Sequence, residues 1–189
     1  MAEWIIGNFH LTRTQSENNG IIVYETCMSN GWTVEAVSGM LGNMSSESGV
    51  NPGIFQSLDW MNMSGGFGLT QWTPATKYIN WAGSNWYSGD REMERIFYEV
   101  ENNLQWFSNA SAPIVRPPLN FKEFTQSTES PETLANYFLW YYEHPAVTIN
   151  PSRGKRALEW YEFLYGRPYS SKRESKIWMM TRRWPKCRF

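Results

Sequence analysis

Residues 34–47 set the tightest constraint on what this chain can fold into. Val34, Val37, Met40, Leu41 and Met44 recur at three- and four-residue intervals, the spacing of one buried helix face. Thr33 stands just before them, where a side-chain oxygen can cap the first turn. The pattern then stops at Glu47, and "SGVNPGIFQSLDWMNMSGGFGLTQWT" follows. That stretch is too rich in glycine for a core element and too aromatic for a plain linker. It predicts loops or a small irregular β-hairpin over residues 49–73, inserted into a helical body.

The rest of the chain agrees with a mainly helical body. Thr14 and Glu17 have capping-box spacing, and "IIVYETCM" continues at helical intervals until Asn30-Gly31 ends it. Gly39 interrupts the second helix at a cost of about 1 kcal/mol, tolerable where a neighbouring helix must approach closely. Helical patterns return over residues 90–107, 131–142 and 153–165. Ser130 followed by Pro131 is a strong start signal, and Gly166-Arg167-Pro168 is a stop. A chain of 189 residues with no internal repeat is long enough for one hydrophobic core.

Charge is unevenly distributed. From residue 167 to 189 there are eight basic residues and one acid, about +7, against about −8 for residues 1–166. An acidic body of residues 1–166 and a basic tail of residues 167–189 are therefore expected. Eleven tryptophans suit a core, but flat apolar rings also serve sugar-binding clefts. The two cysteines, Cys27 and Cys187, are too few for a disulfide framework and read as free thiols, Cys27 buried. The N-terminus lacks a basic region followed by a long apolar run, and no apolar stretch is long enough to span a membrane.

Glu47 lies three residues beyond Met44 and so continues the buried stripe at the helix C-terminus. Partial burial, the negative end of the helix dipole and apolar neighbours all favour the uncharged carboxyl, as a general acid requires. Ser48 and Gly49 can end the helix sharply, with Gly49 in the left-handed cap, leaving the carboxyl facing a cleft. The competing reading is a helix-terminal glutamate turned outward into solvent.

The passage "MLGNMSSESGVNPGIFQ…GGFGLTQWT" resembles the phage tail lysozyme family, a branch of the lysozyme superfamily. More loosely, it is similar to the signature of goose-type lysozymes and soluble lytic transglycosylases. "MERIFYEVENNLQWF", "LANYFLWYYEHPA" and "PSRGKRALEWYEFLY" follow in order, so the resemblance covers roughly residues 20–165. It implies a mainly α, lysozyme-like α+β fold and cleavage of the bond between N-acetylmuramic acid and N-acetylglucosamine. It implies Glu47 as general acid, and a glycan-binding role for Ser48, Gln56, Gln71 and Trp72. Tyr142 and Glu143 would line the opposite wall. It also implies a virion tail component that reaches the wall without a signal peptide, with peptidoglycan and other tail proteins as partners and no cofactor.

Glycoside hydrolysis commonly needs a second carboxylate. Asp59 is the first candidate and Glu143 the second. Asp59 reads equally as an ordinary turn residue, and Glu143, before His144-Pro145, as a helix cap or salt-bridge partner. With neither in place, the sugar's own 6-hydroxyl would attack, as in a lytic transglycosylase, although an "AYNAG"-like motif is missing. A non-catalytic tail protein keeping a lysozyme fold is the other alternative, and a free endolysin differs only in where it acts. His10 and His144 have no partner ligands for a metal, and Ser45, Ser46 and Ser48 no His/Asp arrangement. Without a zinc constellation no peptidase activity is expected. The basic tail reads as a solvated terminus or as a docking segment anchored by Ile177, Trp178, Met179 and Met180, with nucleic acid the least favoured ligand because the body is acidic.

Overall fold

The computed structural model describes residues 2–145 and 147–169. Among them are seven α-helices: α1 (Arg13–Ser29), α2 (Val34–Glu47), α3 (Thr76–Ala82), α4 (Gly89–Glu101), α5 (Phe121–Thr125), α6 (Pro131–Phe138) and α7 (Pro151–Leu164). The mainly helical expectation therefore holds. No helix among the described residues is long and apolar enough to cross a membrane. The basic tail beyond Tyr169, with Cys187 and the apolar anchor, lies outside the described residues.

Helix α2 is the centre of the molecule. Val37, Met40, Leu41 and Met44 are fully buried, and α2 packs most extensively on α7 and α6. Two glycines permit this approach. A Cβ on Gly39 would stand 2.8 Å from Leu134 Cβ and 3.0 Å from the Ala135 nitrogen of α6. One on Gly42 would stand 2.6 Å from the carbonyl oxygen of Arg153 in α7. Gly39 thus has the packing reason its position suggests.

The caps differ from expectation in one place. Thr12, not Thr14, caps α1, and its capping box is completed by Gln15. The spacing is the same three residues, shifted by two, so pattern alone could not choose between them. Asn30, Thr33 and Ser130 cap as expected. Helix α4 ends at Glu101, because Leu104 and Gln105 fall outside the helical face and Asn103 and Gln105 take positive φ. Helix α6 continues as one π-helical stretch, Leu139–Glu143, that ends where His144 takes a left-handed conformation.

The insertion is irregular rather than a regular hairpin. Among the described residues its only β pairing is two isolated antiparallel bridges, Phe55 to Phe67 and Phe67 to Trp72. Val50, Ser57, Leu58, Met61 and Gln71 all have positive φ, a conformation that costs non-glycine residues energy and survives only where surroundings impose it. Five such residues break the extended geometry a ladder needs. Phe55 and Phe67 are buried and pack against each other as tilted rings 4.6 Å apart, which anchors the insertion to the core.

Candidate active site

The end of α2 delivers Glu47 to a cleft of about 480 Å³. Ser48 closes the helix, and Gly49 takes φ +64° and Val50 φ +60° to turn the chain away. Buried Ser48 does not line the cleft; its hydroxyl donates to the Leu69 carbonyl at 2.9 Å and ties the helix end to the glycine-rich segment. One wall is that segment, with Gly66, Thr70, Gln71, Trp72 and Thr73; the other carries Gln105, Tyr142, Glu143 and Pro145.

The two glutamines of the first wall act on its backbone. Gln56 Oε1 accepts from the Gly66 amide at 3.0 Å. Gln71 Nε2 donates to the carbonyls of Ile54 and Gly68 at 3.1 and 3.0 Å. Both still line the cleft, so each holds the wall in shape while exposing an edge to a ligand. Trp72 is 3% exposed and stacks on Tyr78 at 4.8 Å, so its indole offers a ligand an edge instead of a free face.

Glu47 is paired. A guanidinium nitrogen of Arg153, on α7, donates to Glu47 Oε1, and another reaches Asn43 Oδ1 at 2.9 Å. The Glu47 side chain is 23% exposed and that of Arg153 10%. The expectation of an uncharged Glu47 rested on burial, the helix dipole and apolar neighbours; the structure adds a cation beside it. Arg153 was missed because it sits in a charged run. The signal was its register: Arg153, Ala157, Trp160 and Leu164 share the buried face of α7.

Glu143 shares the cleft with Glu47. Burial pushes its carboxyl well above the usual carboxylate range. The charge of Glu47 adds to this, the Arg153 guanidinium opposes it, and Glu99 adds a smaller push in the same direction. Its Oε1 is buried without a hydrogen-bond partner. Asp59, by contrast, is exposed and caps the short turn Gln56–Leu58, outside the cleft lining.

Other lining residues carried no signal in the sequence. His10, Lys77 and Gln105 are brought in by other segments, with Lys77 Nζ donating to Gln105 Oε1 at 2.7 Å. His144 stacks on Phe107 at 4.0 Å, a packing role, and burial lowers its pKa. Among the described residues no three His, Cys, Asp or Glu side chains group as metal ligands would.

A helical body, a helix-terminal glutamate and a glycine-rich wall facing a second carboxylate together define a lysozyme-like protein. Residues 18–164 match the phage tail lysozyme family, and the chain belongs to it. Over 163 residues it is 44% identical to "Morphogenesis protein 1" of Bacillus phage B103, a match covering 85% of this chain and 43% of that protein. The chain therefore spans less than half the length of that relative.

Proposed function

We propose that this protein is a muramidase carried in the phage tail, cleaving the β-1,4 bond between N-acetylmuramic acid and N-acetylglucosamine to open the host wall during infection. The observation that carries this reading is the pair Glu47 and Glu143 on one cleft. Two carboxyl groups whose surroundings differ, one paired with a guanidinium and one half-buried with an oxygen that has no hydrogen-bond partner, are what acid–base cleavage of a glycoside uses. Family membership supports the substrate class, and the relative's name supports a role in the particle.

In this reading Glu47 protonates the glycosidic oxygen and Glu143 is the second carboxylate, a role that Asp59's place outside the cleft lining makes less suitable for Asp59. Gln71 and Gly66 hold the glycan against the acid. One observation favours exchanged roles: burial, with the charge of Glu47, pushes the Glu143 carboxyl well above the usual carboxylate range, as suits an acid. An aryl chitooligosaccharide with a good leaving group separates the two assignments, since it needs no acid. Whichever of Glu47→Gln and Glu143→Gln still cleaves it has lost the acid. The basic tail is proposed as the docking segment; loss of incorporation into particles on deleting residues 167–189 is the expected result, and unchanged incorporation would contradict it.

Digestion of purified peptidoglycan with mass spectrometry of the fragments tests the function. Reducing muramic ends are expected. Anhydro-muramic ends would replace the reading by a lytic transglycosylase, and no fragments from the folded protein would replace it by a non-catalytic wall-binding role.

A further inference from the structure

Helix α4 carries two fully buried carboxylates, Glu92 and Glu99, which the reaction as proposed does not use. They are seven residues apart, two turns, and so share one helix face. Both point their hydrogen bonds at the cleft walls. Glu92 Oε2 accepts from the Leu69 amide at 2.7 Å, directly beneath Gly68, where a Cβ would meet that carboxylate at 2.6 Å.

Glu99 makes the more telling contacts. Its Oε1 accepts from Arg95 Nε at 2.8 Å and from Trp72 Nε1 at 3.2 Å, and its Oε2 from the Tyr142 hydroxyl at 2.6 Å. Trp72 belongs to the glycine-rich wall and Tyr142 to the opposite wall, and both line the cleft. The Tyr142 hydroxyl also lies 3.4 Å from Thr70 Oγ1. One carboxylate thus stands behind both walls and bonds to each.

A charge buried for stability alone does not account for this. A buried ion pair such as Arg95–Glu99 is often no more stabilising than apolar residues of the same volume. What an apolar residue could not do is accept from both walls at fixed distances. The residue after Tyr142 is Glu143, so the hydroxyl–carboxylate bond also sets where the second carboxylate sits.

We propose that Glu99 is a positioning residue of the cleft, holding Trp72 and Tyr142, and through Tyr142 the Glu143 carboxyl, in one arrangement across the glycan. This rests on the hydrolase reading above. The groups that face Glu143 are Glu47 from α2, Arg153 from α7, Glu99 from α4 and the neighbouring Tyr142. Removing the Glu99 charge therefore takes away one of the charges that hold a proton on Glu143.

The experiment is peptidoglycan turnover against pH for wild type, Glu99→Gln, Tyr142→Phe and the double variant, with folding checked by circular dichroism. Glu99→Gln is expected to lower kcat by at least about tenfold and to move the acidic limb of the profile, which the second carboxylate Glu143 sets when it must be ionised, to lower pH. A merely structural residue would not move that limb. The double variant is expected to be no slower than the slower single, because both act through one bond. Wild-type kcat and an unmoved limb in folded Glu99→Gln, or multiplicative losses in the double variant, would overturn the inference. Should Glu99→Gln fail to fold, Tyr142→Phe decides it alone, since it leaves Arg95, Glu99 and Trp72 untouched: undiminished turnover overturns the proposal. Wild type that cleaves nothing removes the hydrolase reading first and this inference with it; cleaving wild type with an unaffected Glu99→Gln removes this inference only.

Discussion

Arg153 grips Glu47 from across the molecule: one guanidinium holds the carboxylate at the end of α2 and the Asn43 side chain one turn earlier. The two residues are 106 positions apart in the chain, yet the bidentate fork fixes both the direction of Glu47 and the register of α7 on α2.

Breaking this pair is expected to cost both stability and activity. Losing one partner of a fully buried pair costs about 3–5 kcal/mol, and the partial exposure of Glu47 reduces that to about 1–3 kcal/mol for Arg153→Ala. Denaturant unfolding measures the first and wall clearing the second. Arg153→Lys, which lacks the fork, is expected to recover charge but little of the activity. Full activity in Arg153→Ala would show that Glu47 needs no such guide.

Gly42→Ala tests the same arrangement without touching a charged group. The added Cβ meets the Arg153 carbonyl and the Ala157 nitrogen at 2.6 and 2.8 Å, both backbone, so α7 must move. A loss of about 1–3 kcal/mol is expected, with wall clearing falling further than the folded fraction does. A variant as stable as wild type would contradict the close approach of α2 and α7.

Glu92 gives a pH prediction with a definite sign. Burial pushes its carboxyl well above the ordinary range, opposed only in part by the Leu69 amide. The unfolded chain therefore loses this proton first as pH rises, so fewer protons are bound in the unfolded state and stability falls with pH. Below the ordinary carboxyl range, near pH 4, the penalty vanishes. Glu92→Gln is expected to melt above wild type at neutral pH and to lose that advantage near pH 4, as thermal melts across pH would show. A gap independent of pH would contradict the assignment.

Gly68→Ala should disturb the glycine-rich wall directly. Its φ is +79° and the new Cβ would lie 2.6 Å from Glu92 Oε2. Strain and displacement of the Leu69 amide together suggest a loss of about 2–3 kcal/mol. Gly31→Ala, with φ +80° but open space around it, supplies the comparison: only the backbone strain, about 1 kcal/mol, is expected there.

What the sequence made legible was whatever is local. The stripe from Val37 to Met44, the Thr33 and Ser130 caps, and the sharp end at Glu47 follow from spacing within a few residues. The short α3 and α5 were not visible, because five to seven residues carry too little periodicity to stand out. Nor were the partners of Glu47 and Tyr142: Arg153 and Glu99 sit in charged runs, and although the register of Arg153 with Ala157, Trp160 and Leu164 marks a buried face, register does not say which distant residue it meets. Asp59 was the more attractive second carboxylate because it follows Glu47 closely in the chain. The left-handed turn at Ser57 and Leu58, which no residue type there signals, leaves it outside the lining, while the π-helical stretch ending at Glu143 brings that carboxylate in.

The central claim is that Glu47 and Glu143 act together on one glycosidic bond. Digesting purified peptidoglycan with wild type, Glu47→Gln and Glu143→Gln at matched folded concentrations, and quantifying reducing muramic ends, tests it most directly. Wild-type release with each single variant reduced by at least about a hundredfold is the predicted result. Release at the wild-type rate by either variant would contradict it.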